Sequence, residues 1–264
     1  MTDLDVQTLR TAYDNQLRPE IPDPIPAGVT VERDGPLVRI SGLDAGGFIT
    51  YRDLGGLTGD ALDELIARQV RLCRERGESA EWKLNEHDEP ADLADRLRAA
   101  GFVPEDRETV VVGPVAPLAA ALPVASEGVR LREVTSRADL ERIAAMEEVW
   151  QADRSHLVWG LAKEIDADPN SITVVVAEAD GTVVSAGWVR FPANTGFATL
   201  WGGSTLPQWR RKGIYRALVN YRARLADQRG RTLMQVDCSE DSRPILERLG
   251  LVAVTTTTPY VYTP

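Results

Sequence analysis

The sequence is poor in the residues that build metal sites and disulfide frameworks, and it has no long hydrophobic run. Cys73 and Cys238 are far apart in sequence, and so are His87 and His156. This spacing matches no metal-ligand motif, and both thiols are expected to be reduced. No apolar run approaches the about 18 residues that cross a bilayer, and the polar, acidic residues 1–24 do not resemble a signal peptide. These absences predict a cytoplasmic protein without a metal ion or a membrane partner.

The charge is acidic overall but unevenly distributed. A net charge of -10 and a pI near 4.9 argue against a nucleic-acid partner, whose phosphates would be repelled. A basic cluster nevertheless falls within residues 210–231, where Asp227 is the sole acidic residue. It consists of Arg210, Arg211, Lys212, Arg216, Arg222, Arg224, Arg229 and Arg231. A local basic cluster in an acidic protein favours a compact polyanion such as a nucleotide cofactor.

The basic cluster begins at a strand, a turn and a helix. Residues 197–205 are rich in β-branched and aromatic residues and predict a strand, which leads through Pro207 to a basic turn and Gly213. From Ile214 onward, apolar residues recur at helical spacing. The unpaired N–H groups of such a helix start, at the positive end of the helix dipole, form a natural phosphate site. The alternative is an ordinary turn with solvated basic side chains.

The order Arg210-x-x-Gly213 before a helix resembles the R/Q-x-x-G-x-G/A turn of the GNAT superfamily of acyl-CoA-dependent N-acyltransferases. The preceding residues 205–209 are similar to the family's V-x-P-x-x segment, although Tyr215 stands where Gly or Ala is usual. In that family the turn holds the pyrophosphate of coenzyme A, so the resemblance implies acetyl-CoA as the co-substrate. The cofactor-binding residues it implies are Gly203, Ser204, Thr205, Arg210, Arg211, Lys212, Gly213, Ile214 and Tyr215.

The predicted elements of the C-terminal half support this resemblance. They are strand 129–133, helices 136–152 and 155–167, strands 172–178, 183–191 and 197–205, helix 213–229, strand 232–236, helix 242–249 and strand 251–262. The order β-α-α-β-β-β-α-β-α-β is the full GNAT arrangement. We therefore expect a mixed α/β fold with a complete GNAT-like unit here.

The N-terminal half repeats part of this pattern. Its predicted elements are helix 6–17, strands 29–33, 37–41 and 48–51, helix 59–76, strand 82–85, helix 90–100 and strand 109–112. The order Arg-Leu followed by Arg-Gly closes the long helix at 71–77 and again at 224–230. Asp53 and Asp60 would repel a pyrophosphate. The prediction is a degenerate GNAT-like domain over 1–112 that binds no coenzyme A, a Pro/Ala-rich linker over 113–127 and a catalytic domain over 128–264.

Acyl transfer from a thioester to an amine needs N–H donors for the carbonyl, a neutral amine and a proton for the thiolate. Gly202-Gly203 predicts a bulge in strand 197–205. The family resemblance implies that the backbone of this strand binds the pantetheine arm and the acetyl group. Many family members carry an acid Tyr in the last short helix, and the corresponding residue here is Leu246. The polar residues that could replace the tyrosine as the acid are Ser239, Tyr215, Cys238, Ser242 and Tyr260. Candidate bases are Glu148, Glu147, Asp153 and His156, although an exposed position on the helix surface also explains the two glutamates. Asp237 could contact either substrate.

The resulting hypothesis is an acyl-CoA-dependent N-acyltransferase that moves acetyl from acetyl-CoA to a primary amine by direct attack in a ternary complex. The sequence leaves the amine open among antibiotics, polyamines, amino acids and protein amines. It also leaves open whether the protein is a monomer or a homodimer. The alternative hypothesis is a non-catalytic protein that binds or senses acyl-CoA.

Overall fold

The computed structural model describes residues 5–43, 46–122, 126–148 and 155–264. Its helices are α1 (Val6–Gln16), α2 (Gly59–Arg76), α3 (Leu93–Ala99), α4 (Val115–Ala120), α5 (Arg137–Glu148), α6 (Ser155–Ala167), α7 (Ile214–Gln228) and α8 (Arg243–Arg248). Its strands are β1 (Thr30–Asp34), β2 (Leu37–Ser41), β3 (Gly47–Thr50), β4 (Ala80–Asn85), β5 (Val103–Pro104), β6 (Glu108–Pro114), β7 (Val129–Val134), β8 (Ile172–Ala179), β9 (Thr182–Arg190), β10 (Phe197–Thr205), β11 (Leu233–Cys238) and β12 (Val252–Tyr262).

The long helix of each half, α2 or α7, buries the apolar residues that recur at helical spacing in its sequence. In α2, Leu62, Leu65, Ile66 and Gln69 recur at helical spacing and are all buried. The helix ends at Gly77, whose φ of 61° is left-handed and therefore suits glycine. In α7 the same spacing buries Ile214, Ala217 and Leu218 against the sheet.

The strands of both halves form one mixed sheet. Among the described residues it has 12 strands, in the order β1-β2-β3-β4-β12-β6-β11-β10-β9-β8-β7, with β5 paired to β12. The two parallel pairs of neighbours are β3 with β4 and β10 with β11. The sheet confirms the mixed α/β fold and runs across both halves without interruption.

The halves exchange their last strands within this sheet. β6, the last strand of the N-terminal half, pairs antiparallel with β11, as Val110 lies opposite Asp237. β12, the last strand of the C-terminal half, lies between β6 and β4, and its Thr257 lies opposite Asn85. Each half therefore supplies the strand that completes the other half's sheet.

Helices cover both faces of the C-terminal part of the sheet. Val111 of β6 packs with residues of α4, α7 and α8, including Leu118, Val219 and Leu246. Its neighbours Val110 and Val112 pack instead with Leu9 and Tyr13 of α1. Because side chains alternate along a strand, α1 lies on the face opposite α7. Helices α5 and α6 contribute to a further core with β8 and β9.

The segment predicted as a linker is partly helical. Residues 115–120 form α4, whose Val115 and Leu118 are buried, and the amide of Asn220 in α7 donates a 2.9 Å hydrogen bond to the Leu118 carbonyl. A short helix here is stabilised by packing rather than by its own propensity. The division into 1–112, 113–127 and 128–264 remains a prediction. None of the helices in the described ranges has the length and hydropathy of a membrane span.

Candidate functional site

The turn between β10 and α7 presents unpaired backbone donors. Residues Pro207–Trp209 form a single 3-10 turn, and the chain then passes through left-handed conformations at Arg211 (φ 61°) and Gly213 (φ 76°). The first helical bond of α7 runs from the Ala217 N–H to the Gly213 carbonyl at 3.0 Å. The N–H groups of the first turn, which starts at Ile214, therefore have no partner inside the helix. They form a positive, donor-rich end of the helix dipole.

Side-chain contacts connect this turn to β10 and to Ser126. The Arg210 Nε donates to the Thr205 carbonyl at 3.3 Å, at the end of β10. The Ser126 hydroxyl donates to the Lys212 carbonyl, and the Lys212 ammonium lies 4.3 Å from the ring centroid of Trp209. The side chains of Arg210, Arg211 and Lys212 are exposed. The turn thus combines a fixed backbone with accessible positive charge, a combination that binds phosphate.

A gap opens beside this turn in the sheet. The parallel pairing of β10 and β11 ends at Thr199 and Gln235 within the described register. Beyond that point β10 continues to Thr205 and β11 to Cys238. The two strands therefore leave an unpaired stretch of backbone that leads toward the start of α7.

The predicted bulge lies on this unpaired part of β10. The register between β9 and β10 shifts between Gly202 and Ser204, so Gly203 is the extra residue. Both glycines have positive φ, 68° at Gly202 and 94° at Gly203. The strand end is also held by Ser185, whose hydroxyl donates to the Ser204 carbonyl at 2.7 Å and lies 2.8 Å from the Thr205 hydroxyl.

Close packing requires glycine at the bulge. A Cβ atom on Gly202 would lie 2.5 Å from the Trp188 ring, and one on Gly203 would lie 2.8 Å from the Tyr215 ring. On the neighbouring strand, a Cβ on Gly187 would lie 2.7 Å from an Arg222 nitrogen. Two aromatic rings and a guanidinium thus surround the bulge.

Arg222 of α7, which the sequence places only in the basic cluster of residues 210–231, is a functional candidate in its own right. It is 1% exposed, and its Nη1 donates to the carbonyls of Trp188 and Trp201, each at 3.1 Å. Burial lowers the pKa of this guanidinium to about 10, while Tyr215 acts in the opposite direction. The side chain therefore remains charged at neutral pH.

Tyr215 lies between the bulge and α8. Burial raises the pKa of its phenol, while the nearby Arg222 and a hydrogen bond with Ser242 act to lower it. Its position explains how a bulky residue is tolerated where the family usually has Gly or Ala. The ring packs against Gly203 and the core beneath α7, and the hydroxyl is directed to α8.

The other acid candidates differ in their placement. Leu246 is fully buried in the core beneath α8. Ser239 is exposed, with its hydroxyl 3.3 Å from that of Ser242. The Cys238 thiol donates to the Thr109 carbonyl at 3.1 Å, and burial, followed by the charge of Asp237, raises its pKa to about 12. Tyr260 packs in the core of the N-terminal half and is not brought to this site.

The base candidates are only partly placed. Glu147 and Glu148 lie at the C-terminal end of α5, and their side chains are outside the described residues, as is the side chain of His156 in α6. Asp153 lies outside the described residues altogether. Asp237 forms an ion pair with Lys83 of β4 and accepts a 2.8 Å hydrogen bond from the Gln235 amide.

Aromatic residues lie on the face opposite α7. Trp201 is 45% exposed, its indole N–H donates to the Thr199 hydroxyl at 2.8 Å, and Arg190 covers its ring at 4.7 Å. Arg190 is in turn paired with Glu164 of α6 at 2.7 Å. The neighbouring Trp188 is 8% exposed, and its indole N–H has no hydrogen-bond partner in the described structure. This face of the bulge therefore offers an aromatic surface and one unused donor.

Comparison with known proteins agrees with the geometry. Residues 137–251 match the model of the acetyltransferase (GNAT) family. No curated protein sequence matches the chain. Among solved structures, a GCN5-related N-acetyltransferase from Kribbella flavida is 19% identical, with 90% of each chain covered and a TM-score of 0.68.

Two further structures have the same fold over nearly the whole chain. A tandem GNAT protein from the clavulanic acid biosynthesis pathway is 14% identical, with 97% of this chain and 93% of that chain covered and a TM-score of 0.65. A functionally unknown conserved protein from Staphylococcus epidermidis is 12% identical, with 91% and 96% covered and a TM-score of 0.64. Residues 137–251 thus match the GNAT acetyltransferase family, and the whole chain has a fold similar to that of a tandem GNAT protein.

Proposed function

We propose that the protein is an acyl-CoA-dependent N-acyltransferase that transfers acetyl from acetyl-CoA to a primary amine. The observation that carries this proposal is the turn at 206–213, with its donor-rich helix start, next to an open bulge at Gly202 and Gly203. The turn suits the pyrophosphate of coenzyme A, and the gap between β10 and β11 suits its extended pantetheine arm. Residues 128–264 would form the catalytic domain, with residues 1–112 binding no coenzyme A.

The reaction would proceed by direct attack. The amine lone pair forms a C–N bond to the thioester carbonyl carbon, and the C–S bond breaks with its electron pair remaining on the coenzyme A sulfur. The amine gives up a proton to a base or to water, and the thiolate is released or protonated. The bulge backbone would donate to the carbonyl oxygen as negative charge develops on it. Holding both substrates together supplies much of the rate enhancement.

Calorimetry of acetyl-CoA binding tests the cofactor site. The Arg210→Glu variant reverses a charge at the proposed pyrophosphate and is expected to weaken binding by at least about tenfold, because charge-assisted contacts to phosphate are strong. Arg98→Glu, on an exposed arginine of α3, makes the same charge change elsewhere and should bind like the wild type. Equal affinity in the wild type and Arg210→Glu would refute the assignment of the turn.

A non-catalytic acyl-CoA sensor is the second candidate. It is favoured by one observation: the residue at the family's acid position, Leu246, is 0% exposed and apolar. Release of free thiol over a panel of polyamines, amino acids, aminoglycosides and peptide amines distinguishes the two. Amine-dependent thiol release supports the enzyme, whereas tight binding without release for any amine supports the sensor.

A further inference from the structure

Arg222 is a buried cation without a carboxylate partner in the described structure. Its guanidinium is held by three backbone carbonyls, those of Trp188, Trp201 and, through Nε at 3.1 Å, Leu218. Carbonyls satisfy the donors but do not neutralise the charge. Burying an uncompensated charge is costly, which makes Arg222 a candidate for a charge that is retained for a purpose.

The location of Arg222 indicates that purpose. Trp188 and Trp201 lie opposite each other on β9 and β10, immediately before the register shift at Gly202. By donating to a carbonyl on each strand, the guanidinium fixes the two strands at the point where the bulge begins. Gly187 lies against it, and any larger residue there would collide with the Arg222 nitrogen.

We propose that Arg222 is a positioning residue for acyl transfer, which sets the geometry of the bulge and holds a positive charge that stabilises the departing coenzyme A thiolate. This inference rests on the proposed function. It explains how the site operates with Leu246 in place of an acid: the leaving group departs as an anion beside a fixed charge and needs no proton donor. The charge of Arg222 acts over a lower effective dielectric constant than a surface charge, because its side chain is 1% exposed.

Two titratable side chains, Tyr215 and Cys238, bear on the charge of Arg222 in the described structure. From β9 and β10 it meets carbonyls and glycine, and from its own helix it meets the Tyr215 phenol, whose pKa is raised by burial. Burial raises the pKa of the Cys238 thiol of β11, which interacts electrostatically with Tyr215, to about 12. Neither group forms an anion near neutral pH that would cancel the charge of Arg222.

The pKa of the bound coenzyme A thiol measures the effect of the Arg222 charge. Ultraviolet thiolate absorbance of coenzyme A bound to the full chain is measured between pH 6 and 9.5, with the protein alone subtracted. In the wild type the bound thiol should titrate about one pH unit below free coenzyme A in the same buffer, a tenfold change in the thiolate-to-thiol ratio. Arg222→Met should remove this shift, whereas Arg222→Lys, which keeps the charge, should retain most of it.

A matched control separates this effect from general loss of stability. Arg39 is also 1% exposed but lies in the N-terminal half, where it bonds to Ser41 and Gln69 and, unlike Arg222, forms an ion pair with Glu78 at 3.6 Å. Arg39→Met therefore removes an equally buried arginine and should leave the titration of the bound thiol unchanged. Circular dichroism confirms that each variant is folded at the temperature of the measurement.

Each result has a distinct meaning. No binding of coenzyme A to the wild type would overturn the proposed function itself. Binding with an unshifted thiol, or with the same shift in Arg222→Met, would overturn the inference about Arg222 and leave the proposed function intact. If Arg222→Met does not fold, Arg222→Lys and Arg222→Gln replace it, and equal shifts in these two variants would also refute a role for the charge.

Discussion

Lys83 of β4 forms an ion pair with Asp237 of β11, and the two strands belong to different halves of the chain. Both side chains are largely buried, with 16% and 15% exposure. The strands β12 and β6 lie between β4 and β11 in the sheet. This single contact therefore spans the region in which the two halves exchange strands.

Breaking that pair should destabilise the protein. Lys83→Met leaves the Asp237 carboxylate buried with the Gln235 amide, and the free energy of unfolding should fall by about 3 kcal/mol in urea denaturation. The double variant Lys83→Met with Asp237→Leu should recover most of the loss. As a control, Arg98→Met removes an exposed pair with Asp95 and should change stability by about 0.5 kcal/mol or less. A similarly small effect for Lys83→Met would contradict the prediction.

Glycine at the bulge should be required for stability and for binding. Gly203→Ala introduces a Cβ at φ 94° and 2.8 Å from the Tyr215 ring. Strain and overpacking together should lower the free energy of unfolding by about 3 kcal/mol and weaken acetyl-CoA binding. Gly128→Ala is the control, because its φ is 76° but nothing lies within 4 Å of the new Cβ. That variant should lose only about 1 kcal/mol, and its acetyl-CoA affinity should match the wild type.

Restoring the family's tyrosine should not restore an acid. Leu246 is 0% exposed in a closely packed core, so Leu246→Tyr should lower the free energy of unfolding by about 1–3 kcal/mol. Thiol release should not accelerate, since the phenol has no room to reach the cleft without displacing that core. Leu122→Tyr, at a position that is 71% exposed, should leave stability almost unchanged. Faster turnover by Leu246→Tyr would show that a proton donor is limiting after all.

Each chain should bind one acetyl-CoA. The N-terminal half has a cleft of 420 Å³ beside the turn that precedes α2, but its lining includes Asp14, Asp53, Asp88 and Glu89 against Arg18 and Arg52. Asp53 also accepts from the Gly55 N–H at 3.0 Å, so this donor is already used. Calorimetry should give a stoichiometry near one. A second site that survives in Arg210→Glu would place coenzyme A in the N-terminal half instead.

Local patterns predicted most of the elements. The bounds of α2 (Gly59–Arg76) and α6 (Ser155–Ala167) match the prediction because their apolar spacing is regular. The bulge in β10 was also predictable, since glycine inside a strand often marks a bulge or a close approach of the backbone. These features depend on residues close together in sequence.

Features that depend on distant residues were not predictable in this way. Alternating apolar residues identify β6 and β12 as strands but do not say which strand lies beside them, so the sequence does not predict the exchange. Arginine is usually exposed, so nothing in the sequence distinguishes Arg222 from the other members of the basic cluster. The guanidinium of Arg222 occupies the space left by Gly187 on another strand, a contact that the sequence does not reveal.

The strand exchange also constrains how the chain folds. β4 pairs with β3 within its own half, but its second neighbour, β12, is the last strand of the chain. In the same way, β11 gains its second neighbour only from β6 of the N-terminal half. Pairings so far apart in sequence carry a large loop-closure cost and form slowly. We therefore expect that neither half completes its sheet by itself, and that a truncated chain carrying only residues 128–264 exposes an open edge at β11. The family domain thus depends for its folding on a segment of chain outside its own boundaries.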